Sequence, residues 1–225
     1  MRTFQAVIFD FGGVITASPF EAFNRLEATR GLPHDLIRGI NATAPDHNAW
    51  ALLERAEITR AEFDSRFAAE AAALGHTLRG ADVLAVIAGV IRPGMVAALD
   101  TIRAAGLKLG CITNNVPGGS GPAMAPDAQA ESRYAAIFAR FDHVIESAKA
   151  GVRKPDPRIY AMMCDALGVA PAECVYLDDL GINCKPAAAM GMAAIKVTGE
   201  AQALTDLSAL LAIDLTALKN PGETQ

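Results

Sequence analysis

The sequence lacks the features of a membrane protein and of a protein that binds polyanions. Its longest apolar run has nine residues, Val83 to Ile91, whereas a membrane-spanning helix needs about 20. The 20 lysines and arginines are outnumbered by 25 aspartates and glutamates, and they form no basic cluster. These absences argue against membrane insertion and against binding to nucleic acid or an anionic lipid surface.

Cysteine and histidine are too few and too scattered to predict a disulfide framework or a zinc site. The four cysteines show no CxxC spacing, and no two of the four histidines stand at ligand spacing. The first apolar run follows a single arginine and is interrupted by Asp10, which does not resemble a signal peptide. We therefore expect a reduced, cytoplasmic protein.

Short apolar runs that alternate with helical patterns predict an α/β protein. Runs typical of buried strands lie at residues 5–10, 107–113, 143–146, 174–177 and 193–197. Amphipathic helical patterns lie at 94–105, 157–167, 185–190 and 201–211. Because strands and helices take turns along the chain, we expect a Rossmann-like, doubly wound parallel sheet.

Residues 17–91 interrupt this alternation with helical spacing and little that is typical of a strand. Helix-start signals lie at Pro19, Pro33 and Thr59, the last with Glu62 in a capping-box position. We predict a core domain of residues 1–16 and 92–225 with an α-helical cap, residues 17–91, inserted after the first strand. A Gly/Pro-rich loop is predicted at 116–126.

Polar and charged residues stand where the predicted strands end. In chain order these residues are Asp10, Thr113, Asn114, Asp178 and Asp179. Parallel strands present their carboxyl ends at one edge, which is where open α/β sheets bind ligands. We therefore expect these side chains to converge on one site.

The charges expected at this edge indicate a divalent cation. Three carboxylates would repel one another, and Lys154, just before the predicted helix 157–167, supplies one positive charge. A hard cation with oxygen ligands, most simply Mg²⁺, would neutralise the remainder and would also bind a phosphate.

Four ordered segments of the chain resemble the motifs of the haloacid dehalogenase superfamily. These segments are FDFGGVI at 9–15, ITNN at 112–115, KPDPRIY at 154–160 and VYLDDLGIN at 175–183. The sequence is most similar to the phosphatase branch that includes the N-terminal domain of soluble epoxide hydrolase. The resemblance covers nearly the whole chain and implies a core with a helical cap placed after the first motif.

The resemblance also implies a role for each matching residue. Asp10 would be the nucleophile that forms an aspartyl-phosphate. The Mg²⁺ ligands would come from Asp10, the Gly12 carbonyl, Asp178 and Asp179, with Asp178 holding Lys154 or a metal-bound water. The Thr113 hydroxyl, the Asn114 backbone N–H and Lys154 would bind the phosphoryl group, and Asn183 would brace the metal loop.

Gly12 departs from the pattern of most phosphatases in this superfamily. They carry a second aspartate two residues after the nucleophile, which protonates the leaving group and later activates water. Such acid–base help contributes about 10²–10⁴-fold in rate. We therefore expect aryl or acyl phosphates to be cleaved far better than alkyl phosphates.

Three functions fit these residues. The first is a Mg²⁺-dependent phosphatase that acts on a small phosphorylated molecule, as a monomer or homodimer. The second is a 2-haloacid dehalogenase, which the paired Asp178 and Asp179 disfavour because they would repel an anionic substrate. The third is a non-catalytic phosphate-binding protein, which the absence of an acid at Gly12 keeps open.

Overall fold

The computed structural model describes residues 3–115 and 128–218, and the predicted loop 116–126 lies outside the described residues. These residues form a five-stranded sheet in the order β3-β2-β1-β4-β5. The strands are β1 (Ala6–Phe9), β2 (Lys108–Thr113), β3 (His143–Glu146), β4 (Cys174–Asp178) and β5 (Ala193–Lys196). All neighbouring strands are parallel, which confirms the predicted α/β class.

The central strand β1 explains why the site lies where it does. Its four residues are fully buried because helices cover both faces of the sheet, so the strand is apolar throughout. Phe9 pairs with Cys111 of β2 on one side and with Leu177 of β4 on the other. The carboxyl ends of these three strands therefore meet at one edge, and Asp10 is the first residue beyond it.

Some helices cover the two faces of the sheet. Others form a separate layer, built from a chain segment that follows β1. The helices of the sheet layers are α6 (Pro93–Ala104), α7 (Ala128–Phe138), α8 (Ser147–Ala150), α9 (Pro157–Leu167), α10 (Gly181–Ala189) and α11 (Glu200–Leu211). The separate layer consists of α1 (Pro19–Arg30), α2 (Leu36–Ala42), α3 (Ala49–Glu54), α4 (Arg60–Ala73) and α5 (Gly80–Ala85). In the described part of the chain, no helix is long and apolar enough to cross a membrane.

Helices α1 to α5 pack around an apolar cluster of their own, which includes Phe23, Phe63 and Phe67. The chain enters and leaves this layer along one short pairing, where Thr16 bridges Ile91 in an antiparallel sense. The layer is thus attached to the sheet by two adjacent chain crossings. We propose that the boundary between core and cap falls at this bridge, between residues 16 and 17 and between residues 91 and 92. These are the boundaries that the sequence predicts.

Two helix starts differ from the sequence prediction. The start at Pro33 is wrong, because Asp35 adopts a left-handed conformation (φ 62°) and the helix begins only at Leu36. The helix expected from residue 185 begins four residues earlier, at Gly181, and Pro186 lies inside it. The capping box of Thr59 and Glu62 is confirmed at the start of α4.

Candidate active site

A buried ion-pair network lies at the carboxyl ends of β1 and β4. Lys154, only 1% exposed, places its Nζ 2.7 Å from Oδ1 of Asp10 and 2.8 Å from Oδ2 of Asp178. Oδ1 of Asp10 also accepts a hydrogen bond from the Phe11 amide at 2.7 Å. The three charged residues come from separate parts of the sequence, and the sheet edge brings them together as expected.

Burial and charge act in opposite directions on this network. Burial by itself would lower the pKa of Lys154, but the charges of Asp10 and Asp178 outweigh it and raise that pKa above its usual value. Burial also raises the pKa of Asp10 well above its usual range, against the opposing effect of Lys154. Lys154 is therefore held as a cation, while the Asp10 carboxylate is costly to ionise until a further positive charge arrives.

Asp178 is the anchor of the network. Its Oδ1 accepts from the Leu180 amide at 2.8 Å and from Asn183 Nδ2 at 3.0 Å. Its Oδ2 accepts from the Tyr176 hydroxyl at 2.5 Å in addition to Lys154. Because both carboxylate oxygens of Asp178 are hydrogen-bonded, Asp178 is held in place, with Asn183 as one of its donors. Asp178 in turn fixes the position of the Lys154 ammonium group.

The sequence analysis did not single out Tyr176. The signal for it was its position two residues before Asp178 in one strand, because such residues share a face of the sheet. Behind it, the Tyr160 hydroxyl donates to the Asn183 carbonyl at 2.8 Å. These two tyrosines continue the hydrogen-bond network away from the cavity.

The loops after β1 and β4 bring Asp179 to the front of the site. Its Oδ2 accepts a hydrogen bond from the Ser18 hydroxyl at 2.8 Å. Burial, then the charge of Asp178, raises the pKa of Asp179. Gly13 packs directly against this carboxylate with φ +80°, a conformation that L side chains rarely adopt.

Gly12 borders open space. A Cβ atom at this position would have no heavy atom within 4 Å, and the residue lines the cavity described below. A larger side chain therefore has room here, so the missing acid is not explained by crowding.

The carboxylates fit a hard divalent cation. One oxygen from each of Asp10, Asp178 and Asp179 lies within 4.8 Å of the others. Three negative charges face the positive charge of Lys154, and oxygen ligands in such a cluster are those that Mg²⁺ prefers. The donor set thus suits Mg²⁺, with Asp178 already the most heavily hydrogen-bonded of the three.

Thr113 and Asn114 lie at the end of β2 beside Lys154. Oδ1 of Asn114 accepts from the Lys154 amide at 2.9 Å, and its Nδ2 donates to the Lys154 carbonyl at 3.1 Å. Thr113 is buried and lines the same cavity. The residues predicted from the sequence therefore all lie at one site.

A cavity of about 500 Å³ opens in front of this site. Its floor is formed by the residues just described, and its opposite wall comes mainly from helices α1, α2 and α3. Trp50 is part of that wall, whereas Phe63 and Phe67 are fully buried in the apolar cluster of the helical layer. Phe63 and Phe67 are thus core residues of the helical layer, and Trp50 packs against the same cluster while it also faces the cavity.

An ion pair between Glu54 and Arg153 joins the helical layer to the sheet, and no sequence motif points to it. Arg153 Nε lies 2.5 Å from Glu54 Oε2, and Ser147 Oγ donates to the Glu54 carbonyl at 2.6 Å. Asn114 Nδ2 lies 3.3 Å from the same carboxylate. Because Glu54 and Arg153 are 99 residues apart, no local pattern reveals their contact.

Comparison with known proteins identifies relatives over most of the chain. The family model of the haloacid dehalogenase-like hydrolases matches residues 4–191. The chain is 33% identical to Acyl-CoA dehydrogenase family member 10 of Mus musculus over 95% of its length, and 30% identical to Bifunctional epoxide hydrolase 2 of Mus musculus over 90%. It spans only 20% and 38% of the lengths of those two relatives.

A third relative has nearly the same extent as the chain. This protein, named a phosphatase, is from Mycobacterium tuberculosis. It is 32% identical, and the match covers 93% of this chain and 96% of the relative.

Two solved structures share the fold at low sequence identity. A haloacid dehalogenase family enzyme of Bacteroides thetaiotaomicron, in complex with magnesium and inorganic phosphate, is 17% identical with a TM-score of 0.55 over 85% of this chain and 93% of its own. The L-2-haloacid dehalogenase of Xanthobacter autotrophicus is 21% identical with a TM-score of 0.58 over 99% and 91%. Because one fold serves both structures, the residues of the site must decide the chemistry.

Proposed function

The chain belongs to the haloacid dehalogenase-like hydrolase family, and we propose that it is a Mg²⁺-dependent phosphatase that hydrolyses a small phosphorylated molecule. The observation that carries the proposal is the buried network of Asp10, Lys154 and Asp178 at the floor of the cavity, with Asp179 beside it. Three carboxylates around one lysine suit a divalent cation and a phosphoryl group better than an organic acid. The similarity to the Mycobacterium tuberculosis phosphatase, which matches this chain over nearly the full length of both proteins, supports the assignment.

In this proposal Asp10 is the nucleophile. Among the described residues, Phe11 and Lys154 both contact its Oδ1, which leaves Oδ2 the less engaged oxygen for attack on phosphorus. The bond from phosphorus to the ester oxygen breaks, the leaving group departs with that electron pair, and an aspartyl-phosphate forms. Water then attacks its phosphorus, releases inorganic phosphate and restores the Asp10 carboxylate.

Lys154, Thr113 and Asn114 hold the transferring group. The Lys154 ammonium group balances charge on Asp10 and on the phosphoryl oxygens, and the Thr113 hydroxyl and the Asn114 backbone N–H donate to those oxygens. Asp178 keeps Lys154 in position, and Asn183 braces Asp178. Phosphoryl transfer depends mainly on positioning and on positive charge, which these residues provide.

The Mg²⁺ site is proposed at the acidic cluster. Asp10, the Gly12 carbonyl and Asp179 would hold the ion, and Asp178 would support it while retaining Lys154. Bound Mg²⁺ would neutralise the carboxylates and the phosphate oxygens. The cytoplasmic location and the monomeric or homodimeric state stay predictions.

The decisive experiment is a phosphate-release screen over many monoesters, with Mg²⁺ or EDTA and with Asp10→Asn as the blank. We expect release that requires Mg²⁺ and is lost in the blank. Phosphate release that persists in Asp10→Asn would contradict the assignment of Asp10 as the nucleophile. Chloride release from 2-chloropropionate in EDTA would favour a dehalogenase, and phosphate binding without turnover of any ester would favour a binding protein.

A further inference from the structure

The wall of the cavity that faces Asp10 is rich in apolar side chains. Pro19, Phe20 and Phe23 of α1, Trp50 of α3 and Ile87 contribute to it. On the sheet side, Ile182 lines the cavity and is 54% exposed. An apolar surface that remains exposed inside a cavity gains from contact with an apolar ligand.

Two polar side chains in the same wall, those of Asn48 and Glu54, are occupied by other protein groups. Asn48 accepts from the Ala51 amide and donates to the carbonyls of Asn41 and Thr43. The Glu54 carboxylate is bound by Arg153 and by the Trp50 indole, which lies at 2.9 Å. Recognition of a sugar requires several polar groups free to bind hydroxyls, and these residues do not supply them.

The remaining polar groups lie on one side of the cavity. Arg38, Asn41 and Asp46 line it on or just after α2. The Arg38 guanidinium lies 4.7 Å from the centre of the Phe20 ring, in a cation–π contact. The polar groups on and just after α2 thus border the aromatic wall at Phe20.

We propose that the substrate's phosphoryl group is attached to an apolar body, an aromatic or hydrocarbon group of moderate size, which occupies the aromatic wall. The placement of the phosphoryl group at Asp10 rests on the proposed phosphatase function. The volume of about 500 Å³ accommodates such a body together with the phosphoryl group. Polyhydroxylated phosphates are the poorer substrates.

A series of 4-alkylphenyl phosphates, from methyl to hexyl, tests the proposal. The acidity of the leaving phenol is nearly constant along this series, so only the apolar volume changes. Burial of a methylene stabilises a complex enough to raise kcat/KM about fourfold, and we expect this rise at each step until the cavity is full. A flat series, or a larger kcat/KM for a hexose phosphate, would overturn the proposal.

Binding without turnover provides a second measurement. Trp50 is the only tryptophan of the chain, so its fluorescence reports occupation of the wall. Butyl-, hexyl- and octylphosphonate should change this fluorescence and bind more tightly as the chain lengthens, whereas inorganic phosphate should bind without that gain. Binding that depends on chain length, with no turnover of any ester, would support the apolar site and refute the phosphatase function. Ester turnover with no dependence on chain length would support the phosphatase function and refute the apolar site.

Two matched variants test whether the alkyl-chain dependence arises at the wall of the cavity. Ile182 and Leu74 are equally exposed, at 54% and 53%, but only Ile182 lines the cavity. Ile182→Ser should flatten the alkyl-chain dependence of both kcat/KM and phosphonate binding, while Leu74→Ser should leave both unchanged. Equal effects of the two substitutions would count against the proposed site.

Discussion

A Cβ atom added to Gly13 would lie 2.2 Å from Cγ of Asp179. The loop after β1 thus approaches the carboxylate after β4 so closely that only glycine fits. Ser18, a few residues further along, donates its hydroxyl to the same carboxylate. The position of Asp179 is therefore set by the segment that leads from β1 into the helical layer.

Gly13→Ala should displace Asp179 and destabilise the protein. The left-handed backbone conformation alone costs about 1–2 kcal/mol for an alanine, and the contact with the carboxylate adds to this. We expect a fall of at least about 2 kcal/mol in the free energy of unfolding, measured with urea, and a weaker response of stability to Mg²⁺. Gly12→Ala is the control, because its Cβ meets nothing within 4 Å; an equal loss in both variants would contradict the explanation.

Asp179→Asn should stabilise the metal-free protein at neutral pH. The pKa of Asp179 is raised in the folded state, so its carboxyl favours folding below the unfolded pKa of about 3.9 and loses that contribution as the pH rises through the folded pKa. The neutral amide avoids this loss and still accepts from Ser18. Urea unfolding in EDTA should show a stability gain at pH 7 that disappears towards pH 4.

The same variant should respond less to Mg²⁺. At a concentration of 100 times Kd, an ion that binds only the folded state stabilises it by about 2.7 kcal/mol. We expect this gain for the wild type, measured at constant ionic strength, and a clearly smaller one for Asp179→Asn. An undiminished Mg²⁺ effect in the variant would remove Asp179 from the proposed ligands.

The sheet edge was predictable because strand burial and strand ends are local properties of the sequence. The run that forms β1 is apolar on both faces and stops at Asp10, which is enough to place that carboxylate. The start of α10 was missed because Gly181 and Pro186 are poor helix residues, and the turn is instead stabilised by Asp178, which accepts from the Leu180 amide. Such a contact depends on the folded chain.

The contact between Glu54 and Arg153 was not predictable for a similar reason. Each residue is an ordinary charged residue in its own segment, and their pairing depends on how the helical layer sits on the sheet. The same applies to the wall of the cavity, since the helical spacing of Trp50 indicates an apolar helix face but not that this face borders the site. Packing between layers is a property that single segments do not contain.

The Glu54–Arg153 pair should contribute more to stability than an exposed pair. Its side chains are 8% and 18% exposed, so removal of either charge leaves the other partly buried without its partner. We expect Glu54→Gln and Arg153→Met each to cost about 2 kcal/mol in urea unfolding, with a coupling energy of about 1 kcal/mol in the double variant. The pair of Arg30 and Asp82, with 41% and 30% exposure, is the control and should couple by about 0.5 kcal/mol or less.

Gly12→Asp should place a carboxyl group at the position where most phosphatases of the superfamily carry an acid. The position borders the cavity and has room for a side chain, and the backbone carbonyl is kept. General acid help matters most when the leaving group is a poor one, so we expect kcat/KM to rise at least about tenfold for alkyl phosphates and little for 4-nitrophenyl phosphate. A plot of log kcat/KM against leaving-group pKa should therefore become flatter. Gly12→Asn has the same size without the acid, so a similar rise in that variant would show that the gain comes from packing and not from proton transfer.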